Sequence, residues 1–192
     1  MMIEGKLMIY KPITFGDRDI IIEWRNKDRI RKNMFNSDII NYTDHCNWVQ
    51  STISDQSKIY LIAYDKRNDK PIGLAHVSNI NRYFSNCEWA FYLGEDSYLG
   101  RGHAIEMEFL ILKLVFEELK LHRLSCVVLD FNQPVISFHK KFGFIEEGKF
   151  RQYLFRDGRW VDAILLSILE DEYFEKKDRI IKMIDRLSKE NQ

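Results

Sequence analysis

The sequence predicts an α+β fold: a mixed, mostly antiparallel sheet of about seven strands with helices on both faces, followed by a charged C-terminal helix. Three observations lead there. The apolar period switches between 3.6 and 2 along the chain, so the elements read β-α-α-β-β-β-α-β-α-β-β-α rather than in strict alternation. Two strong turn signals, Arg67-Asn68-Asp69-Lys70 and Asp157-Gly158, join neighbouring strands into hairpins. The 192 residues are 45% hydrophobic and 14% aromatic, with 3 prolines, and no linker, repeat or low-complexity stretch divides them. One domain over 1–169 with a charged amphipathic helix over 170–192 follows.

Lys6–Pro12 reads as the first strand. Thr14 is placed to cap a helix over Phe15–Asn26 with a stripe of Ile20, Ile21 and Trp24, and Ile30–Ile40 reads as a broken helix or a loop. Thr43 is placed to cap Asp44–Ser54, with Trp48 and Val49 inward. Strands over Ile59–Tyr64, Ile72–Ile80 and Asn86–Leu93 follow. In the third, Glu88, Ala90 and Tyr92 share one face and Cys87, Trp89, Phe91 and Leu93 the other. His103–Leu119 is the clearest helix, apolar on most of its circumference. Leu121–Asp130 is β-rich, and Asn132–Phe142 is a short helix stopped by Gly143. Phe144–Phe155 and Trp160–Leu169 form the last hairpin. The final helix carries Tyr173, Ile180, Ile184 and Leu187 on one side, to fold back on the domain or to form a homodimer contact.

Charge and cysteine usage exclude several function classes. With 29 Lys+Arg against 29 Asp+Glu, the chain lacks the basic excess usual in nucleic-acid binders. Cys46, Cys87 and Cys126 are odd in number and widely spaced, against a disulfide framework or a zinc knuckle. His45, His76, His103, His122 and His139 show no metal-ligand spacing, so no metal is expected. Glu4 and Lys6 interrupt the apolar run a signal peptide needs. Glu106, Glu108, Lys113, Glu117 and Glu118 make Ile105–Leu119 too polar to span a bilayer. The expectation is a soluble cytoplasmic domain without membrane or nucleic-acid partners.

The chemistry concentrates in the loop Tyr98-Leu99-Gly100-Arg101-Gly102-His103-Ala104. Small residues there let the backbone approach a ligand, and the first N–H groups of the following helix favour an anion, with Arg101 adding charge. It matches neither a P-loop nor a dinucleotide fingerprint. A solvated turn that uses glycine only for its geometry is the alternative reading of the loop by itself. Downstream, Asn132 is followed by Phe138-His139-Lys140-Lys141-Phe142-Gly143-Phe144.

The two segments together resemble the GNAT superfamily of acyl-CoA-dependent N-acetyltransferases. Its pyrophosphate loop, Gln/Arg-x-x-Gly-x-Gly/Ala, is matched by Leu99–Ala104, and its Asn…Phe-Tyr-x-Lys-x-Gly-Phe signature by Asn132 and Phe138–Phe144. Leu99 departs from the usual Gln or Arg, and His139 from the Tyr that protonates the leaving thiolate. The resemblance implies the GNAT fold and acetyl-CoA as co-substrate. It assigns Leu99, Gly100, Arg101, Gly102, His103 and Ala104 to the pyrophosphate, and Phe91, Tyr92, Leu93, Asn132, Phe138 and Lys141 to the rest of the coenzyme. It also implies Glu88 as the base that deprotonates the amine and His139 as the acid for CoA thiolate. Glu23–Asn26, Met34, Phe35, His45, Trp48 and the Glu147–Asp162 hairpin resemble the branch that acetylates the 4-amino group of a UDP-linked dideoxy-amino sugar in pseudaminic acid synthesis. Arg25, Met34, Phe35, His45 and Trp48 are then the acceptor-binding candidates, with Arg31, Lys32, Arg151 and Arg156 available to its phosphates. A protein N-terminus or a polyamine as acceptor, and a non-catalytic acyl-CoA-binding module, are the alternatives.

Overall fold

Eight strands build a single sheet in the computed structural model, which describes residues 2–55 and 57–190. They are β1 (Ile3–Glu4), β2 (Met8–Pro12), β3 (Ile59–Asp65), β4 (Lys70–Asn81), β5 (Asn86–Leu93), β6 (Arg123–Leu129), β7 (Ile145–Arg156) and β8 (Arg159–Leu169). Their spatial order is β1-β2-β3-β4-β5-β6-β8-β7. Every neighbouring pair is antiparallel except β5–β6, which is parallel. The strand beyond the expected seven is β1. It pairs with β2 because the buried Glu106 carboxylate accepts the N–H groups of Lys6 and Leu7 in the turn between them and of Met8 at the start of β2, at 2.6, 2.8 and 2.9 Å.

The helices α1 (Arg18–Asn26), α2 (Asp28–Arg31) and α3 (Tyr42–Ser54) cover one face, where Ile13, Ile21, Trp24, Ile30, Val49, Ile62 and Leu74 form a small core. The other face carries α4 (His103–Lys113), α5 (Gln133–Phe142) and α6 (Glu170–Glu190) over the main core. A single 3₁₀ turn, Phe15–Asp17, precedes α1, with the Asp17 carboxylate accepting from the Thr14 N–H and hydroxyl, both at 2.7 Å. Asn41, not Thr43, caps α3, accepting from the Asp44 N–H at 2.9 Å. Val49 points inward as expected, but Trp48 is exposed.

The α-helical part of the long helix stops at Lys113, and Leu114–Glu118 continues as a wider π-helical turn. That turn keeps Leu114, Val115 and Phe116 all buried. Gly143, at φ +107°, ends α5 in the left-handed conformation that glycine adopts without steric cost. Asp157 and Gly158, at φ +51° and +75°, make the turn between β7 and β8. The C-terminal helix folds back on the domain, burying Tyr173, Ile180 and Ile184 in the main core. Residues 191–192 of the expected segment lie outside the described residues. Among the described residues, no helix is long and apolar enough to cross a membrane.

Candidate active site

The parallel pair β5–β6 is joined only from Asn86–Glu88 to Arg123–Ser125. Beyond that point β6 stays on β8 as far as Leu129↔Ala163, while β5 stays on β4 as far as Leu93↔Gly73. The two strands therefore part like a wedge. One side of the opening is the edge of Trp89–Leu93 and the other that of Cys126–Leu129. Backbone groups along the parted edges lack a partner strand, so a ligand threading the wedge can take their hydrogen bonds.

At the open end, the chain leaving β5 runs through Gly94 to the glycine loop and α4. Gly100 and Gly102 have φ of +75° and +82°, and Gly102 caps α4. Leu99 and Arg101 are exposed. The residue after the cap, His103, is fully buried, edge-on to Tyr98 and 4.0 Å from Asp65, so its backbone rather than its ring is available to an anion. Leu187 of α6 lies beneath the loop, 3.0 Å from where a Cβ on Gly102 would stand.

From the other side of the opening, β6 leads to Asn132, which caps α5 with its carbonyl receiving the Val135 and Ile136 N–H groups. Phe138 on α5 tilts against Phe91 on β5, with 6.1 Å between ring centroids. These rings line the helix side of the wedge. Lys141 is exposed in the last turn of α5, at the opposite end of that helix from Asn132. Tyr92 contributes only main chain here, because its ring crosses to the other face and meets Trp24 edge-on at 6.4 Å.

Glu88 stands exposed at the apex of the wedge on the α1–α3 face, paired in register with Ser78 and Ser125. His139, expected to protonate the leaving thiolate, is 4% exposed. Its Nδ1 lies 3.0 and 3.1 Å from the two carboxylate oxygens of the fully buried Glu108 on α4. Burial alone would lower the imidazole pKa, but the Glu108 charge and the Cys126 thiol raise it to about 10. Burial pushes the Glu108 carboxyl up, with His139 opposing that shift, and the hydrogen-bonded pair is enclosed by Trp89, Phe91 and Phe144.

The acceptor-side candidates converge on the face opposite α4. Arg25 donates through Nη2 to the Asn36 carbonyl at 2.7 Å, while its Nη1 is buried with no hydrogen-bond partner among the described residues. Met34 packs into the small core, and exposed Phe35 meets Tyr153 edge-on at 5.4 Å. Trp48 lies edge-on to Tyr60 at 5.4 Å. His45 is buried, with Nε2 2.8 Å from the Arg18 carbonyl, a contact that ties α3 to α1.

Arg156, on the β7–β8 hairpin, reaches across to the loop after α2. It donates to the carbonyls of Lys32 and Phe35, both at 2.8 Å, and to that of Met34. Between hairpin and loop lies a cavity of about 350 Å³ lined by Arg31, Lys32, Ser37, Phe131, Arg156, Asp157, Arg159 and Val161. Arg151 lies elsewhere, in an open bay formed with Lys149, Phe150 and Gln152.

Sequence reasoning missed the struts between the two halves of the site. Trp24 Nε1 donates to Glu95 at 2.9 Å, Lys27 to the Gly94 carbonyl at 3.1 Å, and Arg29 to the Leu93 carbonyl at 3.0 Å and to Asp96 at 2.6 Å. It also passed over His76 and Tyr60. The alternation Leu74-Ala75-His76-Val77-Ser78, with two polar residues on one face, is the signal that marks His76. Among the described residues, no group of three or more side chains is arranged to hold a metal ion.

The family described as the acetyltransferase (GNAT) domain matches residues 11–165. An uncharacterized SPbeta prophage-derived N-acetyltransferase of Bacillus subtilis, YokL, is 29% identical over 160 residues, 81% of this chain and 86% of its own. Acetyltransferase PseH of Campylobacter jejuni is 24% identical over 136 residues, 71% of this chain and 82% of its own. Among solved structures, spermidine N-acetyltransferase of Vibrio cholerae in complex with CoA and spermine superposes with a TM-score of 0.82 at 22% identity, covering 88% of this chain and 99% of that one.

Proposed function

We propose, from the premise that this chain belongs to the GNAT acetyltransferase family, that it acetylates the 4-amino group of a UDP-linked 4-amino-4,6-dideoxy-N-acetylhexosamine. Acetyl-CoA-dependent N-acetyl transfer is the activity of the family. The sugar is the step beyond it. The observation that carries the step is the cavity between hairpin and loop. Arg31, Lys32, Arg156 and Arg159 face Asp157 there, and Arg31 and Arg156 direct guanidinium N–H groups to the backbone carbonyls of Ser37, Lys32, Met34 and Phe35. Asp28 pairs with both Arg31 and Lys32, at 2.7 and 2.8 Å, whereas the carbonyls around Arg156 orient its guanidinium without cancelling its charge. Four cations against Asp28 and Asp157 leave a positive excess, so the cavity favours phosphates. A polyamine carries several positive charges and calls for the reverse.

The wedge takes the pantetheine arm, with the Phe91–Leu93 main chain along one side and Asn132 and Phe138 along the other. The Leu99–Ala104 backbone and Arg101 meet the pyrophosphate, and Lys141 is left for the far part of the coenzyme. Glu88 faces the acceptor and removes the ammonium proton directly or through water, since only the neutral amine has a lone pair. The amine attacks the thioester carbonyl, and a main-chain N–H near Phe91–Tyr92 stabilises the oxyanion. The tetrahedral intermediate then collapses as its C–S bond breaks, and the second amine proton passes, directly or through water, to the departing CoA thiolate. His139, already paired with Glu108, orders the packing of α5 against β5 beside this site. Trp48, Phe35 and Arg25 border the acceptor, and Met34 and His45 hold the elements that carry them.

Thiol release from acetyl-CoA tests the reading. Turnover with the UDP-linked 4-amino sugar, but not with spermidine or an N-terminal alanine peptide, is the expected result. Preference for spermidine refutes the sugar assignment, and tight CoA binding without turnover of any of the three supports an acyl-CoA-binding module.

A further inference from the structure

His76 lies on β4 opposite Ala90 of β5, and Ser78 lies opposite Glu88 in the next pair on the same face. Ala90 offers only a methyl group and is exposed, so a gap stands open above the strand between Glu88 and Tyr92. The partly exposed His76 forms the β4 wall of that gap. Its ring stacks on Tyr60 with 4.8 Å between centroids and 16° between planes, and Trp48 meets Tyr60 from the other direction. The imidazole Nδ1 is buried and has no hydrogen-bond partner among the described residues.

Most buried polar atoms in folded proteins are paired, and leaving one unpaired costs roughly 1–3 kcal/mol. Buried unpaired side-chain atoms occur at Arg25, His76, Trp89 and His103 among the described residues, so the orphan alone does not mark a ligand site. What singles out His76 is its other nitrogen: Nε2 is neither buried nor hydrogen-bonded among the described residues, and it belongs to the partly exposed ring that walls the gap.

We propose that the His76 imidazole hydrogen-bonds the attacking amine of the acceptor, holding it above Ala90 between His76 and Glu88 with its lone pair turned to the thioester. Burial, with a smaller contribution from Lys58, pushes the imidazole pKa down to about 4. The ring is therefore neutral at physiological pH and neither repels an ammonium nor competes with Glu88 for its proton. The groups around it are Lys58 just before β3, Tyr60 from β3, Ser78 from β4, and Glu88 and Tyr92 from β5. The role concerns the amine itself, whichever acceptor carries it, and so rests on N-acetyl transfer and not on the sugar.

Two substitutions separate this role from simple packing. His76→Phe keeps a ring to stack on Tyr60 but has no lone pair. His76→Gln sacrifices the ring and keeps polar atoms near the position of Nε2. Steady-state thiol release is measured with whichever of the UDP-linked 4-amino sugar and spermidine the wild type turns over, with thermal melting alongside. Phe is expected to lower kcat/KM for the amine by about 10- to 100-fold, the worth of a hydrogen bond to a charged or reacting group. The KM for acetyl-CoA stays within about twofold, and Gln recovers part of the loss even where it melts lower. Wild-type kcat/KM in the Phe variant, or a Gln variant no better than Phe, overturns the proposal.

Discussion

Replacing Glu108 by Gln removes one charge from a buried pair while keeping its shape and a hydrogen-bond acceptor. The His139 imidazole rises from 6.5 to about 10 in the fold, which corresponds to about 5 kcal/mol at ~1.4 kcal/mol per pKa unit. Truncating one member of a buried pair costs ~3–5 kcal/mol in other proteins. Because Gln still accepts from Nδ1 and the variant's imidazole can become neutral, about 3 kcal/mol is expected, a fall of about 10 °C in Tm for a domain of this size. The pH dependence is the sharper test. A group whose pKa is raised on folding contributes fully below its unfolded value, here 6.5, and loses that contribution as pH climbs to 10. Urea unfolding of both proteins from pH 6 to pH 10 should therefore show a gap that is widest at the acid end and shrinks steadily towards the alkaline end. A gap that stays constant across the range, or one below about 1 kcal/mol at pH 6.5, refutes the ion pair.

Other perturbations probe the rest of the site. Glu88→Gln should lower kcat by about 100-fold or more, the usual worth of a general base, and flatten the acid limb of the rate profile; unchanged kcat across that limb removes Glu88 from the proton path. Arg156→Ala releases the carbonyls of Lys32, Met34 and Phe35 and should raise the acceptor KM by about tenfold while the acetyl-CoA KM holds, as loss of one charged contact does. Gly94→Ala would place a Cβ 2.1 Å from the Trp24 ring, and overpacking of this kind should cost about 3 kcal/mol, read as a lower melting temperature.

Strand alternation and turn chemistry made most of the architecture legible, because both depend on neighbours in sequence. Asn86–Leu93 could be divided into its two faces from period alone, and the structure places Tyr92 with Trp24 and Trp89 with His139 on opposite sides. The left-handed Gly143 at the end of α5 was legible for the same local reason. What escaped depends on partners distant in sequence. Glu106 and Glu108 read as polar interruptions of an apolar helix, yet both are buried, one satisfied by the backbone of residues 6–8 and the other by His139. His139 occupies its motif position, but nothing in the motif shows that a carboxylate 31 residues earlier will claim its ring. The unpaired state of His76 is likewise a property of what surrounds it in space.

Trp24, Lys27 and Arg29 grip residues 93–96, which lead into the glycine loop proposed for the coenzyme's pyrophosphate, and Arg25 beside them ties to the loop after α2 through the Asn36 carbonyl. On the proposed reading, residues 24–29 therefore brace the elements that hold both ligands. Any free energy that one ligand spends or gains in adjusting this segment is shared with the other, and linkage makes the exchange symmetric. If acetyl-CoA tightens the acceptor by some factor, the acceptor must tighten acetyl-CoA by the same factor. The clamp thereby turns two neighbouring binding events into one thermodynamic unit.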